Sequence, residues 1–377
     1  MNCFLNRLTV MILLSAVCMQ SACFDKDRAA RRKREKVEKE MHEAFKQGDV
    51  AKVEAKLLEA IAIDPKATHL KNSLAILYAF NLKQYDKAKA LWEELVQLEP
   101  KNAAYINNLA GIYQMTGDME RAISLYTEAK KLHREYHMPF YNIGKILIAQ
   151  GKYPEAIAEL REGIKKTKRD SILIFVLGRA LILNGDLTEA ESFLRDEITK
   201  GDTSLDTSFL LERLMIRQHR YDEASKILDT LIARYPEHLA TIKAEYIQLM
   251  IFRTDPPDTI QNELEAFLKI PDSQKFSFME SLVRPVLGVM RGNCDENLDA
   301  LNALDGTIGE EFLYYESVRQ HFIGVCLEKA GNTVESATAR HKAYELTPEL
   351  FDKPADDQVM EKTAEPALAD PNLSASN

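Results

Sequence analysis

The sequence predicts an all-α fold, an α-solenoid of stacked helix-turn-helix hairpins. Two observations predict it. First, one phrase recurs: "NLAGIYQMTGDMERAISLYTEA" at 108–129, then "NIGKILIAQGKYPEAIAELREG" and "VLGRALILNGDLTEAESFLRDE". Gly117, Gly151 and Gly185 stand 34 residues apart, and Ala122, Ala156, Ala190 and Ala224 keep that step. So do Tyr126, Leu160, Leu194 and Leu228. A fixed period of this length marks a stack in which each unit buries its apolar face only against its neighbours. Second, each unit reads as two helices. Ile106, Leu109, Ala110 and Tyr113 share one helical face, "TGD" breaks the helix, and Ala122, Tyr126 and Ala129 line the next.

In chain order, "MNCFLNRLTVMILLSAVCMQSACFDKD" comes first, with Arg7 ahead of an apolar run from Leu8 to Met19. As a helix that run reaches about 18 Å, short of a bilayer core of roughly 30 Å, so a secretion signal fits better than a membrane span. The ending "QSAC" resembles a bacterial lipobox, with Gln20 in place of the usual Leu. It implies a lipoprotein signal peptide over 1–22 and acylation of Cys23. A plain cleaved signal or an uncleaved anchor is the alternative.

Residues 23–39 are basic, with eight Lys or Arg against three acids from Lys26 to Lys39. Beside a lipid anchor they could hug anionic headgroups, or they could begin the first helix. The solenoid is placed at 40–348, about nine repeats, clearest over 103–237 and degenerate over 239–305, where "TDPPD" distorts a unit. Pro65, Pro100, Pro236 and Pro348 punctuate the ends of second helices. Residues 349–377 are acidic and Pro- and Ala-rich, and read as disordered.

The 34-residue unit, with small residues at positions 8, 20 and 27 and Pro at 32, resembles the tetratricopeptide repeat family over about four-fifths of the chain. The departure is at position 4, where the family's frequent Trp is replaced by Ile106, Phe140, Ile174 and Ser208. The resemblance implies a right-handed superhelix whose first helices line a concave, peptide-binding groove. Carried over, its facing positions put Asn107, Tyr141, Phe175 and Phe209 beside Gly111, Lys145, Arg179 and Arg213. The aromatic row next to Lys145, Arg179 and Arg213 would suit a peptide with apolar anchors and a carboxylate. The competing reading is packing aromatics and solvated cations. The Lys of the family's carboxylate clamp is not evident.

The composition excludes some functions. A net charge of -9 argues against bulk nucleic-acid binding. His133 and His137 fall at a repeat junction without a third ligand, so no metal site is expected. There is no nucleotide-binding glycine loop and no nucleophile elbow, hence no cofactor and no catalytic residues are assigned. With Cys3 and Cys18 in the signal, Cys294 and Cys326 remain. In an oxidising envelope they could form a disulfide, while two buried thiols is the plainer reading.

Together these features point to a non-enzymatic scaffold of the bacterial cell envelope. It would be lipid-anchored and face the periplasm, and would bind partner proteins or peptides in assembling a secretion, pilus, outer-membrane or cell-wall machine. Phe24 after Cys23 favours the outer membrane by the sorting rule of enteric bacteria. The alternatives are an adaptor that recruits an envelope enzyme and, remotely, an enzyme with an unread site in 239–305.

Overall fold

A computed structural model describes residues 32–201, 204–309, 312–347 and 350–351 of the chain. Cys23, the signal segment and nearly all of the tail lie outside the described residues. Among the described residues every regular element is helical. The first helix, α1, covers 32–46, so the basic segment placed ahead of the array already belongs to it from residue 32.

Helices then follow in pairs. After α1 come α2 (Val50–Ile63), α3 (Thr68–Ile76), α4 (Tyr85–Leu98), α5 (Ala103–Met115), α6 (Met119–Leu132) and α7 (His137–Ala149). They are followed by α8 (Tyr153–Lys166), α9 (Ser171–Asn184), α10 (Leu187–Thr199), α11 (Leu205–Arg217) and α12 (Tyr221–Arg234). The degenerate stretch folds as α13 (Leu239–Phe252), α14 (Pro257–Phe267), α15 (Met279–Met290) and α16 (Cys294–Asn302), with a 3-10 segment at Pro271–Phe276. The last hairpin is α17 (Leu313–Lys329) and α18 (Thr333–Leu346).

Each hairpin turns on one left-handed residue. Gly48, Gly117, Gly151, Gly185, Gly292 and Gly331 supply it in six hairpins, with φ between 69° and 95°. Glycine takes this conformation at no steric cost. Lys83, His219 and Thr254 take it in the other three, at φ 53°, 58° and 58°. The turn is therefore imposed by the packing of two antiparallel helices, and glycine only makes it easier. Asp49 and Asp118 follow their glycines and cap the next helix, accepting from Lys52 N at 3.0 Å and Arg121 N at 3.1 Å.

One irregularity is local. Ala75 and Ala88 are one residue further apart than their counterparts Ala110 and Ala122. The extra residue is absorbed in a π turn over Leu77–Asn81, closed by Leu82 N to Leu77 O at 3.0 Å. The α3–α4 pair thereby keeps its apolar register.

The chain divides into two compact units. Among the described residues the first comprises 32–146 with Lys165–Lys168, the second Leu147–Ile164 with 169–351. In the first, Val37, Leu57, Leu74, Trp92, Leu95 and Ile112 lie in one continuous core. The Trp92 indole donates to Asn72 Oδ1 at 2.9 Å, satisfying its only donor inside that core.

In the second unit the second helices are tied side by side by charge. Arg195 on α10 reaches Glu191 at 2.8 Å and Glu223 of α12 at 2.9 Å, while Arg220 bonds the same two carboxylates. Close approach of α9 and α10 requires Gly178, because a Cβ there would meet Leu194 Cδ2 at 2.7 Å and Leu210 Cδ2 at 2.9 Å. Further on, Arg319 is buried and holds Glu316, Asp305 and the Leu301 carbonyl together.

Candidate functional site

In the first unit the first helices are laced by asparagines. Asn108 Nδ2 donates to Asn72 Oδ1 and Asn142 Nδ2 to Asn107 Oδ1, each at 3.2 Å. Asn107 is thus buried and committed to a neighbouring helix, whereas Tyr141 is half-buried and Lys145 exposed, its Nζ 5.2 Å from the Tyr141 ring centroid. Beyond the asparagines, apolar side chains stand in water at the C-terminal ends of three successive first helices. Phe45 on α1 is 69% exposed, Phe80 in the π turn after α3 is 60% exposed, and Met115 ends α5 at 44%. Ile76 lies one turn before Phe80 and is also exposed.

The second unit treats the predicted groove residues differently. Phe175 and Arg179 are half-buried. Phe209 is only 5% exposed, and Arg213 bonds Glu245 at 2.9 Å with its guanidinium stacked 3.8 Å from the Tyr314 ring centroid. Residues from the last hairpin thus cover the place where α11 was expected to face a ligand. An aromatic cluster of Phe276, Phe278, Phe312 and Tyr315, with Phe278 and Phe312 4.8 Å apart, packs alongside Tyr314. The expected open row of Lys145, Arg179 and Arg213 is corrected accordingly: Arg213 belongs to a buried ion pair.

Around that pair lies an unusual set of buried polar groups. Glu212, Glu245, Gln248, Tyr314 and Tyr315 are all nine-tenths buried or more. Both carboxylate oxygens of Glu212, both polar atoms of Gln248 and both tyrosine hydroxyls lack a protein hydrogen-bond partner. Gln248 lies beside the Tyr315 hydroxyl without a well-aligned bond. The sequence did carry one signal for this cluster. Glu212 occupies position 8, where Ala110, Gly144 and Gly178 keep a small side chain. Tyr314 carried none, because its contact with Arg213 spans three hairpins.

Burial pushes the Glu212 carboxyl well above its ordinary value of 4.5; the Glu245 charge adds to this and Arg213 opposes it. Glu245 is raised by burial too, with Arg213 pulling it back down. A carboxyl held protonated in the folded state and ionised in the unfolded one favours folding at low pH, and that advantage is lost as pH rises. Stability is therefore expected to fall from about pH 5 upward. In Glu212→Gln most of that slope should vanish, leaving the share of Glu245. Thermal unfolding at several pH values checks this; identical slopes in the two proteins would refute it. Glu212 is fully buried, and within the cluster the Arg213–Glu245 pair links α11 to α13.

Cys294 and Cys326 form a disulfide between α16 and α17, with Cα atoms 5.3 Å apart. No cluster of three or more potential metal ligands occurs among the described residues. No described helix is long and apolar enough to cross a membrane.

Two protein-family models match the chain. Residues 141–204 match one described as "Tetratricopeptide repeat", and residues 81–163 match "Anaphase-promoting complex, cyclosome, subunit 3". Solved structures similar to it include a tetratricopeptide repeat protein from Parabacteroides merdae, with 14% identity and a TM-score of 0.46, covering 78% of this chain and 98% of that one. Another is pilF of Pseudomonas aeruginosa, with 18% identity and a TM-score of 0.42, covering 55% of this chain and 94% of that one. No curated protein sequence matches the chain.

Proposed function

We propose that this chain, residues 141–204 of which match a family model described as tetratricopeptide repeat, is a non-catalytic scaffold of the bacterial envelope, anchored through acylated Cys23. Its helical hairpins make a protein-interaction scaffold. The observation that carries the proposal is the exposed apolar row Phe45, Phe80 and Met115 on the first helices of the first unit. A folded array that keeps such side chains in water on adjoining helices gains by burying them against an apolar partner segment. Each large side chain so covered contributes about 1.5–3 kcal/mol.

Two observations support the envelope setting. The "QSAC" sequence ending at Cys23 resembles a lipobox. The Cys294–Cys326 bond is of a kind that persists in oxidising compartments and is rare in the cytosol. Partners in the assembly of an envelope machine follow from that setting.

The test is co-purification from solubilised envelopes with the intact protein and with Phe45→Asp/Phe80→Asp, exposed changes that leave the core untouched. A specific envelope protein retained by the first and lost by the second is expected. Equal recovery would remove the apolar row from the function. In parallel, Cys23→Ala should abolish acyl-label incorporation and release the protein from membranes; persistent labelling would exclude Cys23 as the anchor.

A further inference from the structure

Position 4 of the repeating unit packs into the seam between two successive second helices. In the unit that starts at Ala103 it is Ile106, fully buried against Ala129, with Val96, Leu125 and Tyr136 closing around it. One unit later it is Phe140, also fully buried, with the ammonium groups of Lys130 and Lys166 5.1 and 5.7 Å from its ring centroid. Ile174 fills the same position in the third unit. In the fourth it is Ser208, a hydroxymethyl group where the others carry a butyl or benzyl chain.

A pocket of about 380 Å³ opens there, with Ser208 and Leu211 in its lining. Its walls are the counterparts of the residues around Ile106. Ile198 stands three repeat lengths after Val96, Ile227 after Leu125 and Leu231 after Ala129. A pocket of this size, mostly apolar with a few polar groups, has the character of a small-ligand site.

The lining also shows what charge it would accept. Arg195, Lys226 and Arg234 line it against the single carboxylate of Glu223, a net of two positive charges in a chain whose total is -9. Arg195 is engaged by Glu191 and Glu223, whereas the exposed Lys226 and the exposed Arg234, which stacks on Tyr235, form no ion pair among the described residues and can meet an anion. Arg234 lies two repeat lengths after Lys166, as Ser208 lies two after Phe140. Its guanidinium lies 5.3 Å from the ring centroid of Tyr235, which also lines the pocket, so it stands over an aromatic face at the pocket's edge. A cation over an aromatic face adds attraction beyond simple burial.

We propose that this pocket binds a small aromatic group carrying a carboxylate. The ring would take the volume that Phe140 fills in its own unit, and the carboxylate would meet Lys226 and Arg234. The same chemistry is available as a free arylcarboxylate or as a phenylalanine flanked by acidic residues in a partner chain.

Titration calorimetry on the full-length protein tests it, with naphthalene-2-carboxylate, its uncharged amide, and an acetylated and amidated Glu-Phe-Glu peptide. Saturable binding of the carboxylate or the peptide is expected, with the amide at least about tenfold weaker than the free acid. Tighter binding of the peptide would identify a partner side chain as the source, and tighter binding of the free acid a small molecule. Ser208→Phe should abolish binding while raising the melting temperature, because it refills the seam. Should that variant not fold, Lys226→Glu/Arg234→Glu, which changes only exposed side chains, is expected to lose binding instead. Absence of saturable binding by both probes up to roughly millimolar concentration, or binding that survives in these variants, would overturn the proposal.

Discussion

Replacing Arg213 by Ala is expected to destabilise the second unit by about 3–5 kcal/mol at neutral pH, because it leaves a buried carboxylate without its countercharge. Arg213 bonds Glu245 at 2.9 Å, the two side chains being 15% and 5% exposed, and its guanidinium covers the Tyr314 ring. Glu212 and Glu245 would then face one another with no cation between them. The protein can respond only by protonating Glu245 as well or by opening the helix contact. The loss should accordingly be smaller at pH 5 than at pH 8. Arg213→Met/Glu245→Leu, which removes both charges and keeps the volume, should recover most of the stability. Hydrogen exchange of α11 and α13 amides, set against those of α3 and α5, localises the effect. A single variant within about 0.5 kcal/mol of the parent would show that the pair is not desolvated as described.

Breaking the Cys294–Cys326 bond comes next in size. The bond closes a loop of 32 residues in sequence separation. In the chain-entropy description a cross-link over that length is worth about 3–4 kcal/mol, through restriction of the unfolded chain. Cys294→Ser/Cys326→Ser, or reduction, is therefore expected to lower the unfolding temperature of the α15–α18 region. The first unit shares neither cysteine and should keep its protection. Nearest-neighbour stacking makes this separation possible, since each hairpin feels chiefly the ones beside it. An unchanged melting profile after complete reduction, verified by thiol titration, would rule out a stabilising role.

The hairpins themselves were legible because their cause is local. A left-handed turn and an apolar face repeated at about 34 residues specify each pair without knowledge of the rest, with a capping Asp added in two of them. This holds even where Lys83, His219 and Thr254 replace the glycine. The π turn after α3 was not foreseen, although one residue too many between Ala75 and Ala88 was its trace. The candidate groove was legible only in part. Tyr141 and Lys145 are where a repeat position puts them, but Asn107 bonds Asn142 across to the next helix. Of the same repeat positions on α11, Phe209 is buried and Arg213 is covered by Tyr314, about a hundred positions later.

The sequence alone thus determined what nearest neighbours decide: all-α class, the hairpin period and the small residues that let paired helices touch. It also showed two anomalies, Glu212 at a small-residue position and Ser208 at a large one, without showing their consequence. Only the tertiary structure decided that Glu212 sits in a sealed polar cluster under the last hairpin, that Ser208 leaves a cationic pocket, and that Cys294 meets Cys326. The physical reason is range. Periodicity records the contacts each unit makes with the next, whereas these three features depend on how the particular side chains of several helices fill or seal the space between them.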